Sequence, residues 1–477
     1  MASYALVATT TWIVFTVAGI TAAIHAVLSS RTSEGAIAWA ISLVTFPYVS
    51  LPCYLIFGRR RFLGYRSALE EALEVHAEQT ASIAESLVPF FLDFKGPRAD
   101  TLRFLEEISN LPFTHGNRAE LLVDGEATFR AIIEAIENAQ DYVLMQFYIV
   151  RDDATSRRVL DALTAAAKRG VKVSFLYDEI GSWLLTSRYL RELRESGVAV
   201  SSFRSTKGHH LNIFQLNFRN HRKATIVDGR VGFIGGINLG DEYVVPTRRY
   251  GKWRDTHLRI TGPAVMSLQL VFLADWYWAT RTFLDLQPRP QVPCGEDNVM
   301  VLPTGPIYTD ERSILFMIEM IDAARHRLWI ATPYFVPDPA VLAVIRRAAL
   351  RHVDVRILLP EKADHFAVWL AAFAYVPELI DDGVRVFSYM PGFMHQKVML
   401  IDDDLASVGT INFDNRSLRL NFEHTAVVQN KAFAASVADM LLEDFARSKR
   451  LTIEDLAKRS QLFWFGARLA RLFEPVL

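Results

Sequence analysis

The residue types in this sequence that could do chemistry occur in two matching sets. One set is a histidine, a lysine, an aspartate, a glycine and an asparagine, namely His221, Lys223, Asp228, Gly235 and Asn238. The other set has the same types at the same spacings, namely His395, Lys397, Asp402, Gly409 and Asn412. At ordinary residue usage, agreement at so many positions does not arise by chance. The chain therefore carries one motif twice.

The histidines and lysines of this motif suit substitution at a phosphate. A histidine can attack phosphorus directly, provided that a second group protonates the departing alkoxide, and the two copies supply His221 and His395 for these roles. A lysine two positions after each histidine lies on the same face of a predicted strand and brings positive charge to the same phosphate. One copy alone could be a packing feature, but a duplicated ionisable set favours function. This chemistry needs no metal ion, and we expect no cofactor.

The remaining polar residues of the motif have two interpretations each. Asn238 and Asn412 offer amide donors to the phosphate oxygens, although either could be a turn residue. Asp228 and Asp402 belong to the catalytic motif by spacing, but each falls at a predicted hairpin turn, so we expect them to act structurally.

Each histidine ring also needs an acceptor for its second nitrogen, which fixes the tautomer and steadies the cationic form. The candidates for this orienting role are Asp255 and Glu423, each downstream of the histidine of its own copy. A surface acid on a strand is the alternative interpretation of both residues. The sequence thus predicts one histidine–carboxylate pair within each copy.

The segments around the two motifs follow one order of helix, strand, helix and strand. In the first copy they cover residues 126–139, 142–150, 154–169 and 171–177, and in the second 310–325, 328–335, 339–350 and 353–359. The strand segments are rich in β-branched and apolar residues, which suits sheets covered by helices. We expect an α/β fold with two lobes, whose motif strands lie side by side around one active site at a pseudo-twofold interface.

The N-terminal part of the chain differs from the rest because it has almost no charge. Residues 1–30 and 35–57 are two uncharged runs, and the second would be about 35 Å long as a helix. A hydrocarbon core is about 30 Å thick, so we predict a hairpin of two membrane-spanning helices, with a buried helical pair as the alternative. The basic residues that follow, Arg59, Arg60, Arg61 and Arg66, place that end in the cytoplasm.

Composition limits the remaining possibilities. The 477 residues include 52 Lys and Arg against 53 Asp and Glu, so no general charge favours nucleic acid. Only Cys53 and Cys294 are present, which excludes a disulfide framework and a cysteine-rich zinc site. We expect spans in 1–60, a linker and helical segment in 61–118, lobes in 119–290 and 291–450, and an amphipathic tail in 451–477. A proline-rich stretch with Pro288, Pro290 and Pro293 would join the lobes.

The tail has two open interpretations. Residues 456–473 mix basic side chains with leucine, phenylalanine and tryptophan, a pattern typical of helices that lie on a membrane surface. A terminal helix packed on the second lobe would show a similar pattern.

The duplicated motif resembles that of the phospholipase D superfamily. Segments 220–223, 235–238, 332–337 and 415–417, together with the uncharged N-terminus, are similar to bacterial cardiolipin synthases. The resemblance implies two phospholipase D-like lobes in a multi-pass protein of the bacterial inner membrane, with the catalytic part in the cytoplasm. It further implies that a histidine attacks one phosphatidylglycerol, glycerol leaves, and a second phosphatidylglycerol accepts the phosphatidyl group to give cardiolipin. By this resemblance His221 is the nucleophile, and His395 is the acid and later the base.

Small departures and rival functions accompany this resemblance. Gly236 stands where the second copy has Thr410, which removes one possible phosphate donor, and Gln396 stands where small residues are usual. A hydrolase using water, or a synthase using serine or phosphatidylethanolamine, would carry the same motifs. Near-neutral charge and predicted spans disfavour a nuclease, and intact ionisable residues in both copies disfavour an inactive scaffold.

Overall fold

The computed structural model describes residues 2–30, 32–58, 62–204, 215, 217–284, 286, 292–308 and 310–475. The chain divides into two compact units, 1–64 with 205–218 and 65–204 with 219–477. Some residues used above lie outside the described residues, namely Arg59, Arg60, Arg61, Pro288 and Pro290. The basic cluster after the second apolar run and the proline-rich linker therefore stay sequence predictions.

The first unit contains three apolar helices, α1 (Ala2–Ser29), α2 (Ser33–Thr45) and α3 (Pro47–Phe57). α1 has 28 residues and, within the described residues, is the one helix long and apolar enough to cross a membrane. The second apolar run is two short helices rather than the continuous helix expected. Pro47 lacks a backbone N–H, and Phe46 before it has non-helical angles of φ −131° and ψ 56°.

The second unit begins with the helices α4 (Tyr65–Val75), α5 (Ala77–Leu87) and α6 (Ala99–Ser109). The first motif copy then forms β1 (Thr114–Val123), α7 (Asp124–Glu137), β2 (Tyr142–Phe147), α8 (Ala154–Lys168), β3 (Lys172–Asp178), α9 (Ser187–Glu195), β4 (Ala199–Phe203), β5 (Arg219–Asn220), β6 (Ala224–Val227), β7 (Val231–Gly235), β8 (Lys252–Arg254), β9 (Thr256–Thr261) and α10 (Ala264–Thr280). The predicted helices and strands of this copy are present, with ends displaced by a few residues.

The second copy repeats the plan. It forms β10 (Asp297–Thr304), α11 (Arg312–Asp322), β11 (Arg327–Ala331), β12 (Phe335–Val336), α12 (Pro339–Leu350), β13 (Asp354–Pro360), α13 (Phe366–Ala372), α14 (Val376–Asp381), β14 (Arg385–Tyr389), β15 (Gly392–Met394), β16 (Val398–Ile401), β17 (Leu405–Gly409), β18 (Phe413–Asp414), α15 (Asn415–Arg419), β19 (Asn421–Gln429), α16 (Lys431–Ala446), β20 (Ser448–Arg450), α17 (Ile453–Ala457) and α18 (Gln461–Arg471). The strand predicted at 328–335 is split into β11 and β12, because Pro333 between them cannot donate to a strand ladder.

The strands of both copies form one sheet in the order β20-β14-β13-β11-β16-β17-β19-β10-β1-β9-β7-β6-β2-β3-β4. Equivalent strands follow the same order from the outer part of the sheet to its centre, namely β14, β13, β11, β16, β17, β19 and β10 in the second copy and β4, β3, β2, β6, β7, β9 and β1 in the first. The two copies meet where β1 pairs antiparallel with β10. The pseudo-twofold axis therefore falls between β1 and β10. The strands that follow the histidines, β6 and β16, are not adjacent in this sheet, so the expectation that motif strands lie side by side is wrong.

Two short pairings outside this order connect the copies directly. β5 runs parallel to β19, and β15 runs parallel to β8. Each pairing places the segment just before one motif histidine against a strand of the opposite copy. The copies are thus interlocked next to both histidines.

Helices on the sheet enclose a separate apolar core for each copy. Phe129, Val143 and Phe175 lie in the core of the first copy. α6, which the sequence assigned to the linker segment, buries Leu102 and Leu105 in the core of the second copy. The second lobe therefore recruits a helix that precedes the first lobe in the chain.

The two motif aspartates occupy equivalent turns after β6 and β16. Both have left-handed backbone angles, with φ 53° at Asp228 and φ 49° at Asp402, which aspartate tolerates better than most residues. The carboxylate of Asp228 accepts the backbone N–H groups of residues 140–142 at 2.8–2.9 Å. That of Asp402 accepts those of residues 325–327 and a bond of 2.6 Å from Arg98 Nη2. The spacing of the motif placed these two aspartates among the catalytic residues, and the structure corrects this assignment to a structural role. Each aspartate holds a turn at the end of the strand that is far from its histidine.

Replacement of Asp402 by alanine should destabilise the protein. It leaves several backbone N–H groups and the Arg98 guanidinium without their acceptor, so we expect the free energy of unfolding to fall by about 2–4 kcal/mol. Urea unfolding of the detergent-solubilised chain measures this loss. The neighbouring Asp403, whose side chain is 81% exposed, is the matched control, and Asp403→Ala should change stability by less than about 0.5 kcal/mol. Equal effects of the two substitutions would contradict the tethering role.

Candidate active site

The two motif histidines stand on short irregular segments rather than on strands. Residues 221–223 lie between β5 and β6, and residues 395–397 lie between β15 and β16. The backbone N–H of His221 donates to Phe422 O at 2.9 Å, and that of His395 donates to Arg254 O at 2.8 Å. The strand expected to carry each histidine–lysine pair is therefore replaced by a segment anchored to the opposite copy.

Each histidine ring is held by a carboxylate of the other copy. His221 Nδ1 lies 2.7 Å from Glu423 Oε2, and His395 Nδ1 lies 2.8 Å from Asp255 Oδ2. All four side chains are buried. The two predicted acids thus both reach a motif histidine, but the pairing within each copy that the sequence suggested is replaced by a crossed pairing. Neither histidine has its oriented tautomer without the other copy.

The two motif lysines are buried beside their histidines. Lys223 Nζ and Lys397 Nζ each donate to the backbone oxygen of the histidine two residues earlier, at 2.6 Å. Lys397 Nζ also lies 3.0 Å from both ring nitrogens of His395. Lys223 Nζ lies 5.2 Å from the centre of the Tyr148 ring, whose edge-on contact with His221 has a centroid distance of 4.9 Å. Positive charge therefore stands next to both imidazoles.

Burial and neighbouring cations keep the free imidazoles neutral. Burial, with the charges of Lys223 and Lys397, lowers the pKa of His221 well below its usual value. Burial and Lys397 also lower the pKa of His395, but Asp255 opposes that shift. His395 is therefore the histidine that takes up a proton more readily.

The two orienting carboxylates differ in charge. Burial raises the pKa of Glu423 to about 7, against the opposing charge of Lys223. Burial acts in the same direction on Asp255, but Lys397 and His395 outweigh it and lower the pKa of this carboxyl. Burial lowers the pKa of Lys397 to about 8. At neutral pH His395 thus faces an ionised carboxylate, whereas His221 faces one that is partly protonated.

The motif asparagines are buried close to the site and already make hydrogen bonds. Asn238 Nδ2 donates to Tyr243 Oη at 3.0 Å, and its Oδ1 accepts from the N–H of Ile149 at 3.1 Å. Asn412 Nδ2 donates to Ser417 Oγ at 3.3 Å. Both amides therefore stabilise the loops after β7 and β17. For the predicted contact with phosphate, each amide group must either donate to the phosphate as well or give up its present hydrogen bond.

The two departures from the usual motif have local explanations. A Cβ atom at Gly236 would lie 2.2 Å from Asp255 Oδ1, so glycine is needed for this carboxylate to reach His395. Gln396 Nε2 donates to Asp444 at 2.7 Å, and its Oε1 accepts from Thr256 Oγ1 at 3.0 Å. Gln396 thus ties the segment that carries His395 to α16 and to β9.

Two buried ion pairs behind the histidines were not predicted from the sequence. Arg222 Nη1 lies 2.7 Å from Asp275 Oδ1, and Arg254 Nη2 lies 2.9 Å from Asp444 Oδ2. The signal was available, since Asp275 and Asp444 are acids among apolar residues of α10 and α16. Each pair ties the segment that bears a histidine or its acid to a helix.

Within the residues that the structure describes, no group of three or more histidine, cysteine, aspartate or glutamate side chains is placed to hold a metal ion.

Three regions of the chain match models of known protein families. Residues 132–252 and 317–445 match the family model described as cardiolipin synthase, phospholipase D-like domain, and residues 17–59 match the phospholipase D-nuclease N-terminal model. A protein named cardiolipin synthase A from Pseudomonas aeruginosa (strain LESB58) is 47% identical over 97% of this chain and 94% of its own length. One of the same name from Pseudomonas fluorescens (strain SBW25) is 45% identical over 96% of each chain.

A solved structure shows the same fold at low sequence identity. The crystal structure of phosphatidylserine synthase from Haemophilus influenzae Rd KW20 superimposes with a TM-score of 0.61, at 15% identity, over 79% of this chain and 100% of that one. The predicted α/β architecture of two phospholipase D-like lobes is thereby confirmed. With both family-model matches and relatives of this similarity over nearly the whole chain, the protein belongs to the cardiolipin synthase family of phospholipase D-like enzymes.

Proposed function

We propose that this protein is a cardiolipin synthase that transfers a phosphatidyl group from one phosphatidylglycerol to another and releases glycerol. The observation that carries the proposal is the crossed pair of histidine–carboxylate contacts, which gives one buried site two oriented imidazoles. Relatives named cardiolipin synthase A, similar over nearly the whole chain, indicate the acceptor.

The first step forms a bond between His221 and the phosphorus of the donor lipid. Glu423 accepts the hydrogen bond of the His221 Nδ1–H group, which leaves Nε2 unprotonated for attack. As the N–P bond forms, the bond from phosphorus to the glycerol oxygen breaks, and His395, which takes up a proton when the anionic phosphate binds beside it, gives that proton to the glycerol oxygen. The ionised Asp255 stabilises the imidazolium of His395. This difference between the two carboxylates supports the order of roles inferred from the resemblance.

The second step reverses the first with a new alcohol. His395 takes the proton from a hydroxyl of the second phosphatidylglycerol, whose oxygen attacks phosphorus while the N–P bond breaks. Cardiolipin leaves, and His221 regains its neutral form. Lys223 and Lys397 stabilise the charge on the phosphate oxygens in both steps, with Asn238 and Asn412 as further donors.

The first unit anchors the protein in the membrane that holds its lipid substrates. α1 exposes large apolar side chains along its length, among them Leu6, Val14, Ile20 and Leu28, as expected of a helix that contacts lipid. We assign α1 and the broken pair α2 and α3 to a hairpin, formed by residues 1–60, that spans the bacterial inner membrane. The basic residues 59–61 favour a cytoplasmic catalytic part. The linker, the two lobes and the tail keep the boundaries given above.

The tail contributes a second membrane contact. α18 has three distinct sides, because Ala467 and Ala470 are buried, Arg468 and Arg471 lie on another side, and a third side is apolar and exposed. The side chains of that exposed side are Leu462, Phe465, Leu469, Leu472 and Phe473. Both interpretations of the tail thus apply to different sides of one helix, which packs on the second lobe and presents its exposed side to lipid.

Product analysis tests the proposed reaction. Purified full-length protein incubated with phosphatidylglycerol, labelled in its acyl chains and in its glycerol headgroup, should release one glycerol for each cardiolipin formed. His221→Ala and His395→Ala should each lower this activity more than about 1000-fold, because either removes a group that acts on the reacting bond. A denaturing quench should capture a phosphatidyl group on the wild-type protein and none on His221→Ala. Phosphatidic acid as the sole lipid product would contradict synthesis.

The rate should have a bell-shaped dependence on pH. On the acid side, protonation of Glu423, whose pKa is about 7, removes the acceptor that supports His221. On the alkaline side His395, whose pKa is lowered, loses the proton that it must donate, and Lys397, whose pKa is about 8, then loses its charge, so kcat/KM should fall on both sides of a maximum just below pH 7. Lys397→Arg keeps the charge at high pH and should make the alkaline decline less steep. An alkaline decline as steep in Lys397→Arg as in the wild type would exclude a contribution from Lys397.

Membrane contact of the tail can be measured by fluorescence. In a Cys53→Ala, Cys294→Ser background, Phe465→Cys and Leu350→Cys carry an environment-sensitive dye at two positions whose native residues are 64% and 63% exposed. In nanodiscs containing phosphatidylglycerol, the dye at 465 should shift to shorter wavelength and be quenched by brominated acyl chains, whereas the dye at 350 should not respond. A shift at 465 without quenching would indicate a protein contact instead.

A further inference from the structure

The two halves of the active site differ in charge at positions that the duplication makes equivalent. Two residues before the histidine, the first copy has Arg219 and the second has Phe393. Four residues after the motif asparagine, the second copy has Arg416 where the first has Glu242. The strand pairings bring Arg219 and Arg416 to the same side of the site, so the two copies do not contribute one arginine to each side. Both positive charges lie on one side instead.

Arg219 and Arg416 meet at the beginning of β19. Arg219 lies on β5, opposite Asn421 of β19, and Arg416 lies on α15, which leads directly into that strand. Glu423, the partner of His221, is two residues further along β19. The two guanidinium groups are close enough that burial and the charge of Arg219 lower the pKa of Arg416. Both arginines are partly exposed, whereas the histidine beside them is buried.

The arginine pair lies next to His221. The charge of Arg416 contributes to the low pKa of this histidine. Both arginines also act on Tyr148, opposing the rise in pKa that burial causes, and the Tyr148 ring touches His221. Burial raises the pKa of Asp178 and of Asp414 to about 6, so both remain mostly ionised at neutral pH and offset part of the positive charge. Their carboxylates accept bonds from backbone N–H groups.

The opposite side of the site is aromatic. The rings of Phe393, Trp253 and Tyr334 have centroids 5.7, 5.5 and 6.2 Å from that of His395. Glu242, the equivalent of Arg416, instead faces Arg151 at 3.8 Å. Arginine in the motif-equivalent positions is therefore confined to the side of His221.

A donor and an acceptor phosphatidylglycerol bring two phosphates, and the product joins them by a single glycerol. When one phosphate lies between the histidines, the other must lie within reach of a three-carbon bridge. We propose that Arg219 and Arg416 form a second phosphate subsite, which binds the phosphodiester of the acceptor lipid. A guanidinium group suits this ligand because two of its N–H groups can donate to two oxygens of one phosphate. The inference rests on the proposed function and adds the residues that select the acceptor.

The subsite explains why a lipid acceptor competes with water. Water is abundant, so a phosphatidyl-enzyme is hydrolysed unless the acceptor hydroxyl is held in place, and positioning gives it a high effective concentration. Water and simple alcohols have no anionic group for the arginines to bind. The same contacts hold the second phosphate when cardiolipin enters the site and the transfer runs backward.

A competition between two acceptors tests the subsite. Full-length protein receives phosphatidylglycerol, labelled in the acyl chains and in the headgroup, together with 1-butanol. Glycerol release measures formation of the phosphatidyl-enzyme, and the ratio of cardiolipin to phosphatidylbutanol measures acceptor choice. Arg219→Gln and Arg416→Gln should each lower this ratio about 10- to 100-fold while glycerol release changes only a few-fold. Arg416→Lys should restore part of the ratio.

The control is an arginine of the same helix with a different role. Arg419 on α15 binds Asp338 at 2.6 Å and Glu311 at 3.3 Å. Arg419→Gln should lower the thermal unfolding temperature and leave the product ratio unchanged. If Arg416→Gln does not fold, Arg219→Gln and Arg416→Lys still measure the ratio.

The outcomes separate the subsite from the reaction. Equal loss of both products, with loss of glycerol release, would place the arginines on the reacting phosphate and overturn the subsite. An unchanged ratio in active variants would overturn it too, while cardiolipin formation by the wild type would keep the proposed function intact. A wild-type protein that makes no cardiolipin would refute the proposed function, and the subsite with it.

Discussion

The structure depends on one constraint, which is that each motif imidazole is bonded to a carboxylate of the opposite copy. His221 and His395 cannot be oriented by their own halves, because Glu423 and Asp255 approach from across the interface. This requirement accounts for the short parallel pairings of β5 with β19 and of β15 with β8. It also accounts for a sheet that continues through β1 and β10, since a rigid junction fixes both contacts at once. Two copies that merely stood side by side would not complete either half-site.

The same arrangement concentrates charge where water is excluded. Two imidazoles and two ammonium groups lie buried together beside the carboxylates of Asp255 and Glu423, so every proton taken up changes the pKa of the neighbouring groups. The carboxylates of the two copies differ in charge. Asp255 remains ionised beside His395, and Glu423 titrates near neutrality beside His221. An anionic phosphate between the imidazoles would offset the positive charge of Lys223 and Lys397, which favours phosphate over neutral ligands.

Much of this arrangement could be predicted from sequence, but only where the information is local or periodic. The repeated spacing identified both histidines, both lysines and the two α/β lobes, and the candidate acids Asp255 and Glu423 are indeed the partners of the rings. Their crossed assignment was missed because spacing along the chain does not show which copy a strand will pair with. The break between α2 and α3 was visible in Pro47, whereas hydropathy alone suggested one helix. Asp275 and Asp444 were passed over because the ion pairs that bury them join residues far apart in sequence.

A duplicated fold that catalyses a two-step transfer must also stop being symmetric. In the proposed mechanism the two histidines have different tasks, because one bonds to phosphorus while the other first gives and then takes back a proton, so identical surroundings would leave the assignment of these tasks undetermined. The differences that break the symmetry lie next to motif residues in the chain without replacing any of them: Gly236 against Thr410, Arg222 against Gln396, and Arg219 against Phe393. In the proposed mechanism the geometry shared by the two copies serves the reaction, and the neighbouring positions, which the motif leaves unspecified, set its direction and the choice of acceptor. A change at such a position should alter which alcohol receives the phosphatidyl group more than it alters the making of the phosphohistidine, because the first depends on the surroundings of the phosphate and the second on the crossed pairs.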